Sequence, residues 1–182
     1  EINNMTITWK EFQKMSRRTM PFQGHATNTQ ELYNVLGNYA LGTLGEWLEY
    51  QHEMKDVDIM KDVSYEKVVK VEKEVGDVSH YLVGLLTIMQ EDFDDKKLTY
   101  VLCEEDIYES LSNIGEIPKK YIYHGHKVDK EKFINSIYKA ISFFQTNFGI
   151  NIERILQTNI DKLKKRYPEK FTTEDSIKRV DV

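Results

Sequence analysis

The 182-residue sequence predicts a single all-α domain in which long central helices form a bundle. Two observations carry this. Residues of the Ser, Thr, Asn and Asp type recur immediately before apolar runs of helical period, and the breaks between those runs hold Gly, Pro and charge clusters. No internal repeat or low-complexity segment is present.

In order, Thr8-Trp9-Lys10-Glu11 has the form of a capping box, which predicts a short helix over about residues 9 to 19, broken by Pro21 and Gly24. Asn28-Thr29-Gln30-Glu31 offers a second box and opens a long helix to about Met54. At about 100° per residue, Leu41, Leu44 and Leu48 form an apolar seam there, opposite an acidic stripe of Glu46, Glu49 and Glu53. Ser64 caps a third helix to about Gln90, whose apolar side is Val71, Val75, Val78, Leu82 and Leu86, with Glu74 and Asp77 at its margin.

Residues 91 to 128 have the character of an insertion. A charged break is followed by a short helix over about 102 to 113, then an irregular stretch from Gly115 to Lys127 with Pro118, where Tyr121-Ile122-Tyr123 is a candidate brief strand. Asp129 caps a helix that stops near Gly149, and Asn151 caps another that ends before Pro168. From Phe171 the tail is a loop with at most a short turn of helix.

A formal net charge of -5 argues against binding a nucleic acid polymer, which relies on clustered Lys and Arg. Cys103 stands alone, so no internal disulfide framework is expected and a reducing cytoplasm is the simplest setting. No apolar run approaches the length of a membrane span, and no charged-then-apolar leader is evident, with Met5 as a candidate start or an internal residue.

Glu46-x-x-Glu49 and Glu74-x-x-Asp77 each set two carboxylates three residues apart, hence on one helical face. Brought together, like charges repel by about 4 kcal/mol per pair at about 4 Å and an effective dielectric near 20, so a cation is expected among them. Oxygen ligands favour Mg²⁺ or Mn²⁺ over Zn²⁺. The plainer alternative is that Lys70 or Lys73 bridges the second pair. Further along, Asn159, Lys162 and Arg166 recur at i, i+3 and i+7, lining one face with an amide and two cations.

The order of Asn38 to Glu49, Glu74-Val75-Gly76-Asp77 and Asn159 to Pro168 resembles the MazG-like all-α nucleoside triphosphate pyrophosphohydrolases, with their E-x-x-E, E-x-x-D and Asn-x-x-Lys elements. The resemblance implies hydrolysis of a nucleoside or deoxynucleoside triphosphate to the monophosphate and pyrophosphate, in a bacterial or phage-infected cell. It places Mg²⁺ on Glu46, Glu49, Glu74 and Asp77, with Glu49 as candidate general base. Asn159, Lys162, Arg166 and Lys55 would contact phosphates, and a homodimer or homotetramer is expected. Arg17-Arg18-Thr19 is similar to an Arg-Thr element of phage and bacterial relatives, while Trp47 and Leu48 replace smaller residues there.

Two other functions are compatible with the same residues. One is a catalytically silent nucleotide-binding or interaction module. The other is a di-iron carboxylate bundle, suggested by Glu49-x-x-His52 and Asp77-x-x-His80, although His52 lies about 60° round the helix from Glu49, away from Glu46. His124-Gly125-His126 is expected in a loop, and Trp9, Phe12, Phe143, Phe144 and Phe148 are expected in the core.

Overall fold

A computed structural model describes residues 7–55, 57, 58 and 60–179; Met5 lies outside the described residues. Among the described residues seven α-helices follow in order: α1 (Trp9–Arg17), α2 (Thr29–Met54), α3 (Tyr65–Ile88), α4 (Tyr108–His124), α5 (Lys130–Phe148), α6 (Ile152–Arg166) and α7 (Thr173–Lys178), with short 3-10 turns between some of them. No strand occurs among the described residues. The fold is all-α, and no described helix is long and apolar enough to cross a membrane.

Local chemistry explains most boundaries. Thr8 and Glu11 form the reciprocal capping box, with Glu11 accepting from the Thr8 amide at 2.8 Å. Asn28 caps α2, but Glu31 reaches past it to accept from the Thr27 amide and hydroxyl, both at 2.8 Å. Ser64, Asp129 and Thr172 cap α3, α5 and α7, whereas Asn151 starts α6 with no side-chain bond.

α2 and α3 are the central pair, locked by two aromatic rings lying against glycines. Gly84 leaves room for the Tyr39 ring, and Gly42 for the Tyr81 ring; a Cβ at either glycine would stand 2.2 and 2.4 Å from those rings. The face of α2 turned to the core carries Leu36, Tyr39, Thr43, Trp47 and Tyr50. This corrects the expected leucine seam: Leu41 and Leu48 are 72% and 65% exposed, and Leu44 is only partly buried. Burying aromatic rings removes more apolar area than burying leucines, so the aromatic face turned inward.

Residues 91 to 128 depart most from expectation. The helix starts at Tyr108, not near 102, and runs through Gly115, Pro118 and Tyr121-Ile122-Tyr123 to His124, so the expected irregular stretch and strand are helical. Leu111, Ile114 and Pro118 form a buried stripe at i, i+3 and i+7, and the Tyr121 ring meets Tyr33 edge-on at 5.2 Å. That burial overrides the lost hydrogen bond at an interior proline. Gly125, at φ 67°, supplies the left-handed stop. α4 packs on α2 and α5, and His124 and His126 are exposed at its end.

Trp9, Phe12, Phe143 and Phe144 are buried, with Phe148 packed against them, as expected. α6 lies on α3 and α1, and this contact positions the site.

Candidate functional site

The site forms where α2, α3 and α6 meet. Gly76 is what allows the approach of α6: a Cβ there would lie 3.1 Å from Cβ of Asn159, a contact few residues tolerate. Asn159 is consequently buried against α3 and donates to Asp77 Oδ1 at 2.7 Å. Lys162, one turn later, pairs with the same oxygen. Beyond them, Arg154 donates to Glu72 at 2.6 Å, a third tie between the two helices.

From α2, Glu46 points toward this junction. Carboxylate oxygens of Glu46, Glu74 and Asp77 all lie within 4.8 Å of one another, and these three make up the one such group of His, Cys, Asp and Glu among the described residues. Burial pushes the Glu46 carboxyl up to about 7, aided by the negative charges of Asp77, Glu49 and Glu74 and opposed by Lys162. Within the junction, the buried oxygens Glu74 Oε2 and Asn159 Oδ1 have no hydrogen-bond partner. A buried unsatisfied carboxylate oxygen is costly, and this one, beside two further carboxylates, has room to accept a ligand.

An octahedral Mg²⁺ with bonds of about 2.1 Å requires ligand oxygens roughly 3 to 4 Å apart. The three carboxylates, with oxygens within 4.8 Å of one another, lie close to that spacing. The donor set is all oxygen, which fits a hard cation and not Zn²⁺.

The cluster is also partly neutralised by protein cations. Lys73 bridges Glu74 at 2.8 Å and Asp77 at 3.5 Å, as the plainer sequence alternative anticipated, whereas Lys70 pairs with Glu66 at 3.1 Å instead. Asp77 therefore sits between Lys73, Lys162 and Asn159.

Other residues singled out in the sequence fall elsewhere. Glu49 is exposed and lies outside the three-carboxylate group, although its charge acts on Glu46. Trp47 fills the next position on α2, its ring buried against Phe143 and Phe144, which turns Glu49 away on the far side. Lys55 is exposed at the end of α2, nine residues past Glu46 and so about 13 Å further along the axis. Arg166 ends α6 and its charge acts on His80 and Tyr81.

Neither expected histidine joins the carboxylates. His52 is exposed, and His80 is buried, its Nε2 3.4 Å from the Tyr39 hydroxyl and its Nδ1 without a partner. Burial pulls the His80 imidazole down to about 4, against the pull of Asp77 and helped by Lys162 and Arg166. A ring neutral near pH 7 and bonded to Tyr39 serves as a wall of the site.

Tyr81 is the residue the motifs do not reach. Four positions after Asp77, it shares that helical face; burial and the charges of Glu46 and Asp77 push its hydroxyl up to about 12. The signal in the sequence is its spacing from Asp77 together with Gly42, the small residue its ring requires.

Arg18 of the Arg-Thr element donates to the Pro168 and Glu169 carbonyls at 2.9 and 2.8 Å, and buried Thr19 bonds the Ser16 carbonyl at 2.8 Å. Arg18 thereby fastens the end of α1 to the chain after α6, and Thr19 closes the last turn of α1. No family model matches the sequence, and neither does any curated protein or solved structure.

Proposed function

We propose that the chain is an Mg²⁺-dependent hydrolase that converts a nucleoside or deoxynucleoside triphosphate to the monophosphate and pyrophosphate. The carrying observation is the convergence of Glu46, Glu74 and Asp77 on one point, with a buried oxygen of Glu74 left unpartnered. The resemblance of the three sequence elements to the MazG-like hydrolases supports the same reading.

Glu46, Glu74 and Asp77 would hold Mg²⁺, or Mn²⁺ in its place. When bound, the cation supplies neutralisation of the triphosphate and a more acidic bound water. The chain's own groups then divide the work. Lys162, drawn away from Asp77 once that carboxylate is neutralised, and Arg166 offset charge that grows on phosphate oxygens in the transition state. Asn159, held between Gly76 and Asp77, keeps α6 at the distance that puts Lys162 in reach. Glu49, solvent-exposed and one turn from Glu46, would accept the proton of an attacking water.

The resemblance also supports a homodimer or homotetramer, and exposed Leu41 and Leu48 give such an assembly an apolar face to bury.

The test is incubation with each common nucleoside and deoxynucleoside triphosphate and Mg²⁺, reading monophosphate and pyrophosphate. Glu74→Gln is expected to remove product while leaving the helical circular dichroism unchanged. Tight nucleotide binding with no product from any substrate would instead establish a silent binding module. Lys73, which already neutralises Glu74 and Asp77 in part, is the observation that favours that second reading.

A further inference from the structure

At the C-terminal end of α3, beyond the mid-helix carboxylates, two adjoining cavities of about 350 and 440 Å³ share His25 and Gln90 in their walls. The first is lined by Lys10, Lys14 and Arg17, at i, i+4 and i+7 on α1, which aims three cations from one helical face into one cavity. The second is lined by Lys130 and by the start of α2 at Asn28 and Thr29. Thr87, in the first wall, follows Asp77 by ten residues, so this groove is about 15 Å along the helix axis from the metal cluster.

The cations there are held ready, not neutralised. None of Lys10, Lys14, Arg17 or Lys130 forms an ion pair among the described residues. Arg17 donates only its Nε, to the Gln23 carbonyl at 3.0 Å, leaving its terminal amino groups to face the cavity. The two carboxylates in the wall do not cancel them: Glu91 is already paired with Lys97, and Asp92 alone remains on the rim. In a chain of net charge -5, such a local cationic excess runs against the average surface.

We propose that this groove is a second anion site that binds a small polyphosphate, whether free or carried by a nucleotide, with Lys10, Lys14 and Arg17 taking one end of the phosphate chain and Lys130 the other. A guanidinium with two free amino groups suits bidentate phosphate recognition, and the flanking ammonium groups supply point charges. A nucleic acid polymer is a poor occupant, because the groove is short and the rest of the surface is acidic.

The experiment is calorimetric titration of the full chain with inorganic tripolyphosphate in excess EDTA, which removes divalent cations from the carboxylates. Wild-type protein is expected to bind one equivalent beyond any taken by Lys162. Lys14→Gln combined with Arg17→Gln should weaken this binding about tenfold or more, as expected for the loss of two charge-assisted contacts. Lys130→Gln, an exposed single change, should weaken it by a smaller factor, and Lys162→Gln should leave it in place. Repeating the titration with a nucleoside triphosphate tells the two sources apart: equal affinity assigns the free chain, and tighter binding assigns the nucleotide. Absence of binding heat, or binding that survives the double variant and disappears in Lys162→Gln, would overturn the proposal without touching the hydrolase reading.

Discussion

Glu46 and His80 have been shifted in opposite directions by the same junction, and the signs lead to different predictions. Glu46 is raised from 4.5 to about 7, so the folded chain binds its proton more tightly than the unfolded chain does. Its contribution to stability is present below pH 4.5 and is lost as pH rises toward 7. A cation that replaces the proton should recover the loss. Added Mg²⁺ is therefore expected to raise the melting temperature more at about pH 8 than at about pH 5.5, measured by differential scanning fluorimetry. A shift independent of pH would mean that Mg²⁺ does not displace this proton.

His80 is lowered from 6.5 to about 4, so the unfolded chain binds protons that the folded chain refuses. Stability is full above pH 6.5 and is lost as pH falls toward 4, by up to roughly 3 kcal/mol for a fully buried ring. Over the shared window the two slopes oppose one another. His80→Phe keeps a ring in the wall and removes one slope, so the stability of wild type relative to the variant should grow as pH rises from 4.5 to 6.5. Urea titrations of both proteins at the two ends of that window check it; a constant difference would show that the imidazole stays accessible to protons.

At the scale of elements, helix contacts are set by glycines whose roles differ though their sequence contexts look alike. Gly84 accepts the Tyr39 ring, while Gly45, on the exposed side of α2, has nothing within 4 Å of a would-be Cβ. Alanine favours a helix interior by about 1 kcal/mol over glycine, so Gly45→Ala should stabilise by up to that amount. At Gly84 the same gain is overtaken by driving a methyl into a buried ring, a type of overpacking that costs about 1 to 3 kcal/mol. Thermal unfolding of the two variants should move in opposite directions.

The same contrast explains which elements were legible. Caps at Thr8, Asn28, Ser64 and Asp129 act within one turn of chain, and their helices begin where those residues predict. The face of α2 was not legible, since Leu41, Leu44 and Leu48 compete with Leu36, Tyr39, Trp47 and Tyr50 around one helix. Only the neighbours settle that competition: Gly42 and Gly84 across from Tyr81 and Tyr39, and Phe143 and Phe144 against Trp47. In the site, Glu74, Asp77 and Glu46 were readable from spacing. The position of Glu49 outside the cluster depends on how far α2 rotates against α3, which spacing within one helix does not encode.

At the scale of the molecule, the segment 91 to 128 decides whether the chain is a compact bundle with an addition or one core with no removable part. Val101, Ile107, Leu111 and Ile114 are all buried within the same cluster as Leu82, Leu86, Ile137 and Phe144. Gly115 approaches Leu44 to within 3.0 Å of a would-be Cβ, and the Thr99 and Val101 amides donate to Ser142 and Thr146 on α5 at 3.0 and 3.1 Å. Deleting a buried aliphatic side chain costs about 2 to 5 kcal/mol, and four together approach the 5 to 15 kcal/mol that holds a typical domain folded. Replacing residues 91 to 128 with a short Gly-Ser linker should therefore abolish cooperative unfolding, and Mg²⁺-dependent turnover with it, because α5 would lose the partner that holds it against Trp47. If circular dichroism instead showed a sharp melt and calorimetry retained the cation site, the remaining helices would be self-sufficient and the segment a true insertion.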